Sequence, residues 1–116
     1  MAVKNITVAK TERPNASKDF TFTALTASDE VVVPCEFKDE HTMLLFLGGS
    51  AESTVTIKAG NGYAGMNDEV FAVPANGYSA ITIDSSRFKN VTGDHKGALV
   101  LGVSAACSLA VVEARV

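Results

Sequence analysis

The segment from Thr54 to Thr92 constrains the fold of this chain more than any other. It opens with Thr54-Val55-Thr56-Ile57-Lys58, an alternation of hydroxyl and aliphatic side chains with the period of two that a half-buried strand requires. Gly60-Asn61-Gly62-Tyr63-Ala64-Gly65 follows, a literal match to the GxGxxG dinucleotide fingerprint. That fingerprint works only when a helix stands directly behind it, because the helix N-terminus holds the pyrophosphate. Asp84 lies at a tolerable distance for the ribose-binding acid, but no helical period follows the glycines. The chain instead runs through Met66-Asn67-Asp68 into Glu69–Val73, a β-type run closed by Pro74. The turn Ala75-Asn76-Gly77 and a further strand from Tyr78 to Asp84 complete the stretch. Strand, glycine loop, strand, turn, strand predicts β structure, with the glycines serving turns and at least one of Gly60, Gly62 and Gly65 at positive φ.

The same grammar extends over the whole chain. Val3 to Val8 reads as an extended segment in which Val3 is opposite in phase to Ile6 and Val8. Thr11 to Ser17 is a loop by composition. Phe20 to Ala24 alternates apolar and hydroxyl residues, and Val31-Val32-Val33 is a β-branched run that Pro34 fits to a sheet edge or bulge. Lys38-Asp39-Glu40-His41 is a charged turn. Met43-Leu44-Leu45-Phe46-Leu47, apolar on both faces, predicts a central strand covered from both sides. Ser85 to Asn90 is read as one turn of 3₁₀ helix, and Ala98–Val103 with Leu109–Ala114 as a closing hairpin around Ser104-Ala105-Ala106. Short strands every 8–12 residues or so, parted by Gly, Asn, Asp and Pro, predict an all-β antiparallel sandwich, jelly-roll-like or immunoglobulin-like. At 116 residues the chain makes one domain, 1–116, with 1–17 as either an N-terminal arm or an edge strand.

Composition narrows the function classes. With charged residues at 20% and hydrophobic ones at 47%, the chain is built to fold. A net charge of -3, with ten basic residues scattered along the chain, argues against a nucleic-acid groove. Nor does any apolar stretch approach the ~20 residues of a membrane span. The stretch from Met1 to Asn15 holds no apolar h-region or cleavage site, so no signal peptide is read and cytoplasmic synthesis is expected. The N-x-S/T matches at Asn5, Asn15 and Asn90 carry no weight in a chain that is not secreted. Cys35 and Cys107 fit no metal spacing and read as two reduced, buried thiols, with a disulfide between neighbouring strands the open alternative.

Catalytic and metal chemistry find little to stand on. His41 and His95 are the chain's two histidines, each in a charged, turn-like stretch. Asp94-His95 lacks a serine in a GxSxG elbow. Two histidines and two distant cysteines are a poor zinc set, and Asn67-Asp68-Glu69 and Asp39-Glu40 lack the DxDxDG calcium pattern. The expectation is a non-enzyme with no cofactor and no metal. Phe20, Phe22, Phe46, Phe71 and Phe88 are expected in the core, and Tyr63 is the one aromatic expected at the surface.

A resemblance enters through Met43–Leu47, Ser53–Gly62, Val73-Pro74-Ala75-Asn76-Gly77, Ile83–Lys89, Gly93 and Lys96-Gly97. This succession is similar to small tailed-bacteriophage capsid decoration, or cement, proteins, over roughly residues 40–113. The resemblance implies a structural virion protein, made in the host cytoplasm, that binds the major capsid protein on the outer capsid surface and stabilises the head. It also implies a homo-oligomer, often a trimer. Its motifs are turn and strand motifs, so they carry over no functional residue. The residues themselves nominate Val3, Ile6, Val8 and Tyr63 as contacts to the capsid or to another subunit. Val3, Ile6 and Val8 are too apolar for an idle tail, and an ordinary first strand within the same domain is the competing expectation. The alternative function is a carbohydrate- or cell-surface-binding β-sandwich module.

Overall fold

The computed structural model describes residues 3–12, 17–62 and 67–114. It is an all-β sandwich of two mixed sheets. Among the described residues ten strands are divided between the layers: β1 (Val3–Asn5), β2 (Val8–Lys10), β3 (Thr23–Leu25), β4 (Glu30–Pro34), β5 (Thr42–Gly48), β6 (Ser53–Ile57), β7 (Glu69–Val73), β8 (Tyr78–Ile81), β9 (Ala98–Val103) and β10 (Cys107–Glu113). A 3₁₀ turn at Asp39–His41 and one helical turn, α1 (Ser85–Phe88), are the helical elements among the described residues. One sheet has the order β1-β4-β9-β6-β7. The other has the order β2-β10-β5-β8, with β3 also pairing β10, so β2 and β3 lie end to end along one edge of β10. We call these the first and second sheets.

Strand patterning explains the layers. Val31 and Val33 on β4, Val55 and Ile57 on β6, and Leu99 and Leu101 on β9 point inward and are buried. They meet Leu44 and Phe46 of β5 and Leu109 and Val111 of β10. Phe46 and Phe71 bridge the two layers edge to face, with ring centroids 5.4 Å apart. Pro34 sits where sequence puts it, at an opening in an edge. It pairs with Ala98 of β9, while the parallel partner β1 covers β4 only from Glu30 to Val32.

Several expectations need correction. The pairs β1–β4 and β2–β10 are parallel, so the sheets are mixed and not purely antiparallel. The β9–β10 hairpin is instead a corner between sheets. Ser104 and Ala105 are tied to β6 there, since Thr54 N donates to Ser104 Oγ at 2.8 Å and Ser53 Oγ donates to the Ala105 carbonyl at 2.9 Å. These bonds hold the corner on the first sheet while β10 turns away to pair with β5 over seven residues. The stretch Ser85–Phe88 is α-helical and not 3₁₀, capped by Asp84, whose Oδ1 accepts from Ser86 N at 3.1 Å. Phe88 anchors this turn in the core.

Candidate functional site

The first residues to place are those the sequence nominates. Val3 is 54% exposed on β1, at the edge of the first sheet. Ile6 is 4% exposed and belongs to the hydrophobic core, and its amide donates to the Val32 carbonyl at 2.9 Å. Val8 is half-buried and packs against that core from β2. Residues 3–10 therefore complete both sheets of their own domain, which is the edge-strand reading of this segment. Ile6 cannot serve as a surface contact, because its side chain already fills the space between the layers. The phase change seen in the sequence marks the crossing: Val3 faces out from one sheet, and Ile6 and Val8 face in as the chain passes to the other. Tyr63 lies outside the described residues.

The glycine loop braces the fold. β6 and β7 pair antiparallel on either side of it, from Ser53↔Val73 to Ile57↔Glu69. Asp68 Oδ1 accepts the Ala59 amide at 2.7 Å, and Gly60 N donates to the Arg87 carbonyl at 2.9 Å. Asn61 grips the loop that follows α1: its Oδ1 accepts from Val91 N at 2.7 Å and its Nδ2 donates to the Thr92 carbonyl at 3.0 Å. Gly60 and Gly62 do not have positive φ, and Gly65, the third glycine of that expectation, is outside the described residues. Gly60 is required for a different reason. A Cβ there would lie 2.4 Å from the Lys89 carbonyl oxygen, so the two backbones come too close for any side chain. Positive φ occurs at Gly93, Gly97 and Asn76.

Four of the polar groups considered for chemistry, Asp39, Asp68, Asp84 and His95, have structural partners. Asp39 Oδ2 accepts from the amide and hydroxyl of Ser85 at 2.8 and 3.0 Å, joining the 3₁₀ turn to α1. His95 Nε2 lies 2.7 Å from Glu30 Oε1 on β4. Serine Ser86 donates through both amide and hydroxyl to Asp84, and these bonds hold the Asp84 carboxyl below its ordinary value. Both cysteines are free and buried. Cys35 follows β4, with its amide bonded to the Gly97 carbonyl at the start of β9, whereas Cys107 begins β10 beyond the end of β9. Six strand residues, roughly 20 Å at ~3.4 Å per residue, separate those positions, which is far outside disulfide reach. Burial pushes the Cys35 thiol up to about 11 and raises that of Cys107 as well.

What the sequence reading did not locate is the outer face of the second sheet. β5 is central in that sheet, between β10 and β8, as its apolar character predicts. Its inner face is buried through Leu44 and Phe46, but its outer face is uncovered: Met43 is 43% exposed, and Leu45 and Leu47 are half-buried. In register, residues opposite one another share a face. Tyr78, Leu47, Ser108 and Ala24 therefore form one row across β8, β5, β10 and β3, and Ala80, Leu45 and Ala110 form the next. Met43, Val112 and Ala9 form a third across β5, β10 and β2. None of these ten positions carries a charge.

Tyr78, at 73% exposure, stands at one corner of this face, and Phe20, at 43%, stands toward the opposite one. Phe20 thus leaves the core assigned to it, because β3 begins only at Thr23 and the preceding residues run outside the strand. Its ring lies 5.9 Å from that of Phe22. Phe20, Met43, Leu45 and Val112 floor a shallow depression of about 400 Å³, rimmed by Glu40, His41 and Thr82. The molecule is a slab of 37 × 37 × 22 Å, so this is one of its two broad faces. The signal for it was in the alternation Tyr78-Ser79-Ala80-Ile81, which puts Tyr78 and Ala80 together and away from the core. The doubly apolar β5 was the second signal.

Comparison of the chain with protein-family models, with curated proteins and with solved structures finds no match in any of the three. Among the described residues no helix is long and apolar enough to cross a membrane.

Proposed function

We propose that this domain is a non-enzymatic structural protein of a tailed-phage virion, made in the host cytoplasm, that binds the major capsid protein on the outer capsid surface and stabilises the head. The observation that carries the reading is the uncharged apolar face of the second sheet, on which Met43, Tyr78 and Phe20 are exposed around half-buried Leu45 and Leu47 while Ala110 of β10 is already buried. Exposed large apolar side chains gathered on one face of a sheet are a mark of protein interaction. The sequence resemblance over residues 40–113 supports the same reading and supplies the partner.

Magnitudes say how such a face must be used. Fully burying Tyr78, Met43, Leu45 and Phe20 is worth at best roughly 1.5–3 kcal/mol each. Association costs about 4–15 kcal/mol before any contact is counted. One copy on one site therefore binds weakly. Self-association, which lets several faces engage a symmetric lattice together, supplies the rest. The carbohydrate-binding alternative has less support, since Tyr78 and Phe20 stand at opposite corners and do not flank one groove.

Cosedimentation with expanded capsids that lack the protein tests the proposal. Saturable binding at a fixed ratio to the major capsid protein is the expected result, and its absence would remove the reading.

A further inference from the structure

We propose that Asn76 is a site of spontaneous deamidation and isoaspartate formation in the folded protein, and that Asn61, the chain's other Asn-Gly asparagine, is protected from it. The chemistry is intramolecular. The backbone nitrogen of the following residue loses its proton to solvent base and attacks the asparagine Cγ. The bond from Cγ to Nδ2 breaks, ammonia leaves, and a five-membered succinimide remains. Water then opens the ring at either carbonyl, giving aspartate or isoaspartate. A glycine at the next position favours attack because it has no Cβ to hinder the approach. Asn61-Gly62 and Asn76-Gly77 both meet that condition, while Asn5, Asn67 and Asn90 precede Ile6, Asp68 and Val91.

The fold separates the two pairs. The Asn61 carboxamide is held at both ends: Oδ1 accepts from Val91 N at 2.7 Å and from Thr92 N at 3.4 Å, and Nδ2 donates to Thr92 O at 3.0 Å. Turning its Cγ onto the Gly62 nitrogen breaks all three bonds. Asn76 is exposed at φ 55°, and its side chain has no hydrogen-bond partner among the described residues. Its own amide is fixed to the Gly49 carbonyl at 2.8 Å, but the attacking nitrogen of Gly77 is held only by a 3.2 Å bond to Pro74 O, the longest in that corner. One weak turn bond must open at Asn76, against three side-chain bonds at Asn61. The product adds one negative charge to the chain's -3 and, as isoaspartate, lengthens the backbone between β7 and β8 by one methylene.

Incubating the full-length folded protein at mildly alkaline pH, followed by trypsin and tandem mass spectrometry, reads both sites in the single peptide from Ala59 to Arg87. The expected result is the mass gain of exchanging NH₂ for OH at Asn76, accumulating at least tenfold faster than at Asn61, with isoaspartate detected by its methyltransferase. In urea the two rates should converge, and Asn76→Gln should abolish the folded-state signal. Equal rates in the folded protein, faster reaction at Asn61, or no modification of Asn76 while the urea-treated chain reacts at both sites would overturn the proposal.

Discussion

At Gly60 the backbone of the glycine loop meets that of Lys89 so closely that a methyl group has nowhere to go. A Cβ would lie 2.4 Å from Lys89 O and 2.8 Å from the Phe88 carbonyl carbon, both backbone atoms. Gly60→Ala should cost about 1–3 kcal/mol in denaturant unfolding. At Gly62 the nearest obstacle is a Val91 methyl at 3.2 Å, which can rotate away, so Gly62→Ala should cost clearly less. Equal losses would show that the loop, and not the close approach, sets the requirement. The buried thiol of Cys35 gives a second residue-level test. Its folded value of about 11 exceeds the ordinary thiol value of 9.0, so between the two the native state keeps a proton that the unfolded chain releases. Its contribution is therefore fully present below pH 9.0 and lost as pH rises toward about 11. Melting temperature should fall across that window, and fall less steeply in Cys35→Ala. Parallel slopes would exclude Cys35 as the cause. Cys35 was legible beforehand as a buried, reduced thiol, but the requirement at Gly60 was not. A glycine required by a close approach looks in sequence like a glycine required by a turn, and the approach is made by a segment about 30 positions away.

Among the elements, the strands with clean alternation or dense β-branching, β4, β5, β6, β9 and β10, were legible because one face of each is paid for by core burial. Their sheet membership was not. Whether β10 folds back on β9 or crosses to the other layer depends on side-chain bonds from Ser53 and Ser104 that have no local signature. The N-terminal segment shows the same limit. Its phase change was visible, but the parallel partners, β4 for β1 and β10 for β2, lie roughly 25 and 100 residues away. The structure makes this segment part of the domain. Ile6→Ala should cost about 2–4 kcal/mol, as for a large-to-small change in a packed site. Removing residues 1–10 should lower the melting temperature even at low protein concentration. A truncated domain with unchanged melting temperature would show that β1 and β2 contribute nothing to the core.

For the whole molecule, the sandwich was legible from strand spacing, whereas the candidate site was not, because it is defined by what fails to cover it. The pattern of β5 predicts burial on both sides, and the fold supplies a layer for only one of them. The remaining face, with Met43 and Tyr78 at 43% and 73% exposure, is where the proposed capsid contact is made. Val70, at 57% exposure on edge strand β7 of the first sheet, provides a matched control away from it. The direct measurement is the binding isotherm on expanded capsids for the wild type, Met43→Asp, Tyr78→Asp and Val70→Asp, each first shown to melt as the wild type does. Saturable wild-type binding, weakened at least tenfold by either change on the second sheet and unaltered by Val70→Asp, is the predicted result. No saturable binding by the wild type, or equal binding by all four proteins, would contradict it.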